Sequence, residues 1–265
     1  MTKQFEYLVL FIGLTLLFSC KNKPNETPQK PEEIKAEPMS FEMRSFEKKG
    51  GECKEDHLKC VVIKLNYPVA KGGNEKSRGM INHFVNSMAL ESIHPDPDET
   101  VKDFDTAAEL LIKYYQEQLD DFPDYEIGWE VEVEGDAEIV DNYAVISLST
   151  YSNTGGAHPN HHISIANFNL DTGEEIKLRE IVTDVNAFNE LAQKRFIEAR
   201  ISEYDLDEVD INDFFFGEGF QLPENFAIQK EGILFYYNPY EAAPYALGTT
   251  AFTISYKDLG EIVKI

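Results

Sequence analysis

The period of the apolar positions changes several times along the chain. Val61-Val62-Ile63-Lys64-Leu65-Asn66-Tyr67-Pro68 is rich in β-branched and aromatic residues and predicts a strand stopped by its proline. Beyond the glycine-rich turn Lys71-Gly72-Gly73-Asn74, Met80, Ile81, Phe84, Val85 and Met88 recur at helical spacing, which predicts a helix with one buried face. A second helix is expected over residues 99–119, with Val101, Phe104, Ala108, Leu111, Ile112, Tyr115 and Leu119 on one stripe. Asp98 or Thr100 is its expected cap, and Pro123 lies beyond its end.

From Tyr125 onward the period becomes that of strands. In residues 129–134, Trp129, Val131 and Val133 alternate with glutamates, so the apolar set faces inward and the acids outward. Residues 137–140 and 143–154 continue the pattern, and Asp171-Thr172-Gly173 predicts a hairpin turn between residues 163–170 and 175–178. Residues 181–201 read as a helix burying Val185, Phe188, Leu191, Ala192, Phe196 and Ala199, with Thr183 or Asp184 at its start. Residues 226–228, 232–237 and 250–256 supply further strands. The intervening Asn238-Pro239-Tyr240-Glu241-Ala242-Ala243-Pro244-Tyr245-Ala246-Leu247-Gly248 is too aromatic for a solvated loop and too proline-rich for a long helix. It is expected to pack over a core or a groove. The class is α+β, antiparallel sheets with helices packed on one face. A boundary near 120–125 separates a strand-helix-helix half, residues 40–122, from a meander-helix-strand half, residues 123–265, as two domains or one continuous sheet.

The N-terminus changes the picture of location. Lys3, the apolar residues 7–18 and Leu17-Phe18-Ser19-Cys20 match a bacterial signal peptide over residues 1–19. The apolar stretch is shorter than the roughly 20 residues that span a bilayer. A small residue followed by cysteine resembles a lipobox with Cys20 as the lipidated first mature residue, although Phe18 is bulky for its position. Lys21 follows rather than Asp, so nothing resembles an inner-membrane retention signal. Residues 20–39, proline-rich and charged, lack the apolar surface needed to order themselves and are expected to be a tether. The expected location is the cell envelope, lipid-anchored in the outer membrane of a Gram-negative bacterium, on its periplasmic or surface side.

Charge narrows the partners. The 265-residue chain carries a net charge of −24, which repels nucleic acid and excludes it as a main ligand. From Glu91 to Asp141 there are 18 acids and only two bases, Lys102 and Lys113. That stretch is a solvated acidic face, a docking surface for a basic partner or a cation site. Asp205-Leu206-Asp207-Glu208-Val209-Asp210 hints at calcium but lacks the glycine and terminal glutamate of an EF-hand loop. With Cys20 assigned to lipid, Cys53 and Cys60 remain, and an exported pair favours a disulfide across a hairpin tip between residues 41–46 and 61–65. A metal site using His57 is the alternative.

Half of the six histidines lie in Tyr151-Ser152-Asn153-Thr154-Gly155-Gly156-Ala157-His158-Pro159-Asn160-His161-His162, a strand connection with adjacent glycines. His158 and His162 have the spacing of paired metal ligands on a helix, but the region reads as strand and turn, where His161 and His162 face opposite ways. No metal or cofactor is assigned. No nucleophile elbow or serine-lysine pair appears, and no catalytic residue is assigned.

Two segments carry a family resemblance. Thr154-Gly155-Gly156-Ala157-His158 with Asn169-Leu170-Asp171-Thr172-Gly173-Glu174-Glu175-Ile176-Lys177-Leu178, and Phe235-Tyr236-Tyr237 running into residues 238–248, resemble the DUF3298 domain found at the C-terminus of the lysozyme-sensing anti-sigma factor RsiV. The preceding half, with Tyr67-Pro68 and Met80-Ile81-Asn82, resembles its companion DUF4163, which also occurs outside the catalytic domain of the peptidoglycan deacetylase PdaC. The resemblance implies an α+β envelope protein. It also implies a surface suited to a basic protein such as lysozyme. The chain is expected to depart from RsiV in having no cytoplasmic segment ahead of its anchor, and the Thr-Phe-Asp-Asp-Gly-Pro run of the deacetylase does not occur in this sequence. The expectation is a non-enzymatic protein binding peptidoglycan or a lysozyme-like basic protein through Thr154, Gly155, Gly156, His158, Tyr240 and Glu241. The alternative is a glycan hydrolase or deacetylase using His158 with a nearby carboxylate.

Overall fold

The structure is a computed structural model and describes residues 37–53, 59–94, 96, 100–204 and 207–265. The signal peptide, Cys20, most of the tether, His57 and the Asp205-Leu206 start of the calcium-like run lie outside the described residues.

Strands β1 (Ser40–Gly51) and β2 (Cys60–Lys71) pair antiparallel, and Cys53 and Cys60 are disulfide-bonded at the end of that pair. Helices α1 (Glu75–Ile93) and α2 (Phe104–Asp121) follow. Then come β3 (Trp129–Val140), β4 (Tyr143–Asn153), β5 (Asn160–Asn169) and the short β6 (Glu175–Ile176). These strands form one sheet in the order β1-β2-β3-β4-β5-β6. Every neighbouring pair is antiparallel except β2 and β3, which run parallel. A parallel neighbour requires a long crossover, and α1 and α2 supply it. The sheet therefore draws strands from both halves of the sequence.

Pro68 does not stop β2. It sits opposite Met43 of β1, and pairing with β3 ends at Asn66, so the missing N–H is not demanded by the ladder. Asp103 caps α2 by accepting from Thr106 N at 2.8 Å, in place of Thr100; Asp98 lies outside the described residues. In α1 the buried line is Ser77, Ile81, Val85, Ala89 and Ile93, while Met80 faces solvent.

Ile81, Val85, Ala108, Leu111 and Tyr115 from the helices pack on Ile63, Leu65, Val131, Val133, Ile146 and Leu148 of the sheet. The alternation in β3 is as expected: Val131 and Val133 are buried, and Glu130 and Glu132 flank Lys64 of β2. The hydrogen bond that Lys64 donates to Glu132, followed by both glutamate charges, holds the Lys64 ammonium pKa above its ordinary range.

A second core gathers α4 (Val185–Tyr204) and a three-stranded antiparallel sheet, β7 (Asn225–Ile228), β8 (Gly232–Tyr237) and β9 (Thr250–Ser255). Phe188, Ala192 and Phe196 of α4 meet Phe226, Ile233, Phe235 and Ile254, with Phe214 and Phe215 closing one end. Tyr143 and Val145 join this cluster, whereas Ala144 and Ile146 belong to the first, so β4 serves both cores by alternation. Asp184 caps α4 at 3.1 Å from Ala187 N, and a separate short helix α3 (Leu178–Ile181) precedes it. Val185, expected inside, is exposed because it occupies the first turn ahead of the packed stripe.

The two sheets meet along the edge of β5. That edge is paired with β6 only at Asn167 and Phe168. Further along, Asn225 Oδ1 accepts from Ile165 N at 2.7 Å, and the Asn238 amide bonds both Ile163 N and Ile163 O. Asn167 reciprocates, donating to Phe226 O at 2.7 Å and accepting from Ile228 N at 2.8 Å. Asparagine amides thus reproduce ladder bonds where no continuous ladder forms, and they blunt an open strand edge.

Candidate functional site

The connection from β4 to β5 is set by its first glycine. Gly155 has φ +80°, and Asn153 Oδ1 accepts its N–H at 3.3 Å. A side chain there would run into the Tyr125 hydroxyl, which itself accepts from Trp129 Nε1 at 3.1 Å. Glycine is required on both counts. Gly156 faces open space, with only His158 O near an added Cβ.

The turn delivers His158 onto the segment after β8. Its ring stacks on Tyr245 with centroids 3.7 Å apart and planes at 16°. Nδ1 lies 3.0 Å from Pro159 O, and Nε2 lies 3.3 Å from Tyr240 Oη. A carbonyl only accepts, so Nδ1 carries the proton and Nε2 accepts the tyrosine O–H. Tyr245 Oη also donates to Pro159 O at 2.7 Å. Tyr240 itself holds φ +70° and is 55% exposed, projecting its ring from a tight turn closed by its N–H to Ala243 O at 3.0 Å.

The structure therefore brings His158 and Tyr240 together. Glu241 is adjacent in sequence but serves differently: its carboxylate accepts from Asn238 N at 2.8 Å and from Asn238 Nδ2 at 3.1 Å. It locks the amide that grips β5. Among the described residues, His158 bonds only Tyr240 and Pro159, and no carboxylate contacts its ring.

His161 and His162 part company as alternating strand positions must. His161 lies against Tyr151, and His162 lines a groove on the other face. Among the described residues no group of three or more His, Cys, Asp and Glu side chains is placed to hold a metal ion.

That groove has a volume of 660 Å³ and runs between α1, the β4–β5 surface and β7. Ser92, Thr150, Ser152 and Ser164 bring hydroxyls to it, Glu91, Glu175, Glu224 and Glu241 bring carboxylates, and Phe84, Met88 and Ile165 add apolar surface. An adjoining recess of 470 Å³ shares Ile165, Glu175, Lys177 and Glu224 and is otherwise mostly apolar, lined by Leu178, Val182, Leu222 and Phe226. A third cavity of 320 Å³ shares Ser92 and Ser152 and contains Thr154, His94, Tyr114 and Trp129. Thr154 thus lines a hollow to which neither His158 nor Tyr240 contributes. Burial drives the phenol of Tyr237, whose hydroxyl donates to Gln221 O at 2.7 Å, far above the ordinary tyrosine range.

Sequence reasoning missed Tyr245 as the stacking partner, Asn225 and Asn238 as sheet clasps, and His94. The asparagines directly before Phe226 and Pro239 were the available signal, since each sits at a strand end where a side-chain amide can replace a ladder bond. His94 had none beyond its position after an apolar helical stripe.

Residues 54–161 match the family model described as Deacetylase PdaC, and residues 180–257 match Protein of unknown function (DUF3298). The DUF3298 resemblance is borne out over residues 180–257, whereas the Thr154–His158 turn falls within the PdaC match, which extends past the expected boundary at 122 and stands in place of the expected DUF4163 companion. A crystal structure of a DUF3298 family protein from Pseudomonas aeruginosa PAO1 is similar, with TM-score 0.61 and 21% identity, covering 86% of this chain and 95% of that one. A member of the same family from Bacteroides fragilis NCTC 9343 gives TM-score 0.61 at 19% identity, covering 86% and 94%. These likenesses show the α+β fold. No curated protein matches.

Proposed function

We propose that this chain is a non-enzymatic envelope protein that binds a wall glycan along the 660 Å³ groove, whose lining residue Glu241 is next in sequence to Tyr240 of the His158–Tyr240–Tyr245 cluster. The observation that carries this reading is the groove's lining. Hydroxyls and carboxylates alternate there with patches of apolar surface, the combination that meets the hydroxyl rims and C–H faces of sugars. Exposed Tyr240, its hydroxyl already oriented by His158, offers a ring face for stacking. The PdaC and DUF3298 matches support an envelope setting. Anchoring through a lipid on Cys20 in an outer membrane fits the same setting and is part of the proposal.

A hydrolase or deacetylase centred on His158 is the weaker reading, because Pro159 and Tyr240 occupy both ring nitrogens. A second binding reading, docking of a basic protein such as lysozyme, is favoured by the net charge of −24. Calorimetry with soluble peptidoglycan fragments and with lysozyme, at low and at raised salt, separates the two. Fragment binding that survives salt and weakens in Thr150→Val or Glu224→Gln supports the glycan groove. Binding of lysozyme alone, lost with salt, replaces it with the docking surface.

A further inference from the structure

The 470 Å³ recess exposes apolar surface that a glycan in the neighbouring groove does not use. Ile165, Ile176, Leu178, Val182, Val185 and Leu222 line it, and none of the six is fully buried. Val185, in the first turn of α4, is 58% exposed, so an occupant can reach it. A concave apolar surface of this size falls in the range of small-ligand sites, and covering it removes hydrocarbon from water.

The main chain at the recess is already paired. Ile165 N donates to Asn225 Oδ1, Ile176 pairs with Asn167 of β5, and Val182 N donates to Leu178 O. A peptide would bring amide groups that these positions cannot meet, whereas a hydrocarbon chain brings none.

Charge specifies the other end of the ligand. Lys177 and Glu175 pair with each other. Arg179 is the one arginine that makes no hydrogen bond or ion pair among the described residues: Arg44 pairs with Glu42, Arg78 donates to Gly72 O, and Arg195 and Arg200 each bond several groups. In a chain with 48 acids against 24 bases, an exposed arginine left unpaired is open to an anion from outside. Glu224 lines the same recess, is exposed, and likewise has no partner among the described residues. One free cation and one free anion thus border the hydrocarbon surface.

We propose that the recess holds the acyl chain of a zwitterionic phospholipid, with Arg179 meeting the phosphate and Glu224 the ammonium of its headgroup. The inference goes beyond the glycan reading and does not depend on it. An envelope bilayer would supply the ligand.

The test is calorimetry on the full chain with dodecanoyl lysophosphatidylethanolamine, kept below its critical micelle concentration. Saturable binding at a single site is expected. Val185→Asp sets a carboxylate against the acyl chain at an exposed position in a helix first turn, where an acid is tolerated, and is expected to weaken binding about tenfold or more. Arg179→Gln is expected to weaken it about tenfold. Neither residue lines the groove, so both variants are expected to bind peptidoglycan fragments as the parent does. The matching lysophosphatidylglycerol, which lacks the ammonium, is expected to bind more weakly and to gain affinity in Glu224→Gln, while the ethanolamine lipid loses it. Thermal unfolding checks that each variant folds. No saturable binding, or equal affinity in the parent and Val185→Asp, overturns the proposal. Binding to phospholipid vesicles without binding to the monomeric lipid overturns it as well, because it reports adsorption to a surface. Equal affinity for the two headgroups, unmoved by Arg179→Gln, overturns the assignment of the headgroup contacts.

Discussion

Asn238 grips Ile163 by both of its backbone polar groups, accepting from the N–H at 2.7 Å and donating to the carbonyl at 3.0 Å. The amide is 3% exposed, and Glu241 fixes its orientation from the other side. One side chain therefore does the work of a strand neighbour at the junction of the two sheets. Asn238→Ala leaves the Ile163 N–H and C=O without partners, and the expected loss is about 3 kcal/mol. Asn238→Asp keeps an acceptor for Ile163 N but loses the donor and sets a second carboxylate beside Glu241. Urea unfolding is expected to show both variants destabilised, and a near-neutral Asn238→Ala would mean that the junction is held by packing alone.

Gly155 and Tyr125 make an equally specific pair. Gly155→Ala combines a left-handed φ with a collision against the Tyr125 hydroxyl, so a loss of about 2 kcal/mol or more is expected. Removing that hydroxyl in Tyr125→Phe relieves the worst of the overlap, but the ring carbon Cζ stays 2.9 Å from the added Cβ and the backbone strain remains. The double variant is therefore expected to recover only part of the loss, and full recovery would show that backbone conformation contributes little.

Arg200 is buried to 1% exposure and ties α4 to the segment that follows the Tyr240 turn. It donates to Leu247 O at 3.0 Å, Thr249 O at 3.2 Å and Thr250 Oγ1 at 3.1 Å, with its guanidinium 4.4 Å from the Tyr204 ring centroid. Arg200→Ala removes the guanidinium from Thr249 O and Thr250 Oγ1, leaves Leu247 O with only the Tyr204 hydroxyl, and opens a cavity, costing about 3 kcal/mol. Arg200→Lys cannot span the same acceptors and is expected to recover less than half. Hydrogen exchange in residues 245–250 is expected to rise in both.

The secondary structure was largely legible because its signals are local. The alternation through Val131 and Val133 and the stripe from Phe188 to Phe196 each report one face of one element. Errors arose where tertiary context decides. Pro68 is tolerated inside β2 only because β3 pairing has already ended, and the parallel match of β2 with β3 follows from a crossover that period counting does not register. At the candidate site, the glycine requirement of the Thr154 to His158 turn and the meeting of His158 with Tyr240 lie in the segments that drew attention. The asparagine clasps depend on neighbours 59 or more positions away, and no local pattern encodes them.

Burial, ahead of the charge of Glu241, raises the Tyr237 phenol, and burial is likewise the first cause for Tyr115 and Tyr256. The folded state thus holds protons that the unfolded chain releases near pH 10. This contribution to stability is complete below about pH 10 and is lost as pH rises beyond it, because the unfolded state then binds fewer protons. The urea midpoint is expected to be flat up to about pH 9 and to fall above about pH 10. Tyr237→Phe is expected to reduce the slope of that fall while lowering stability at neutral pH through the lost bond to Gln221 O. An unchanged alkaline slope in this variant would assign the dependence to other groups.

His158 and Tyr240 provide the sharpest separation of binding from folding. Tyr240 is exposed, so truncating its ring removes surface available to a ligand without opening the core. Tyr240→Ala is expected to weaken peptidoglycan-fragment binding about tenfold, within the range of a single aromatic contact, while leaving the urea midpoint almost unchanged. Tyr240→Phe keeps the ring but loses the hydroxyl that His158 Nε2 accepts at 3.3 Å, and is expected to retain most of the affinity if stacking dominates. His158→Ala removes the plate on which Tyr245 rests, so it is expected to weaken binding and also to lower stability slightly. If all three variants bind as the parent does, the aromatic cluster is only a packing device and the ligand lies wholly within the groove.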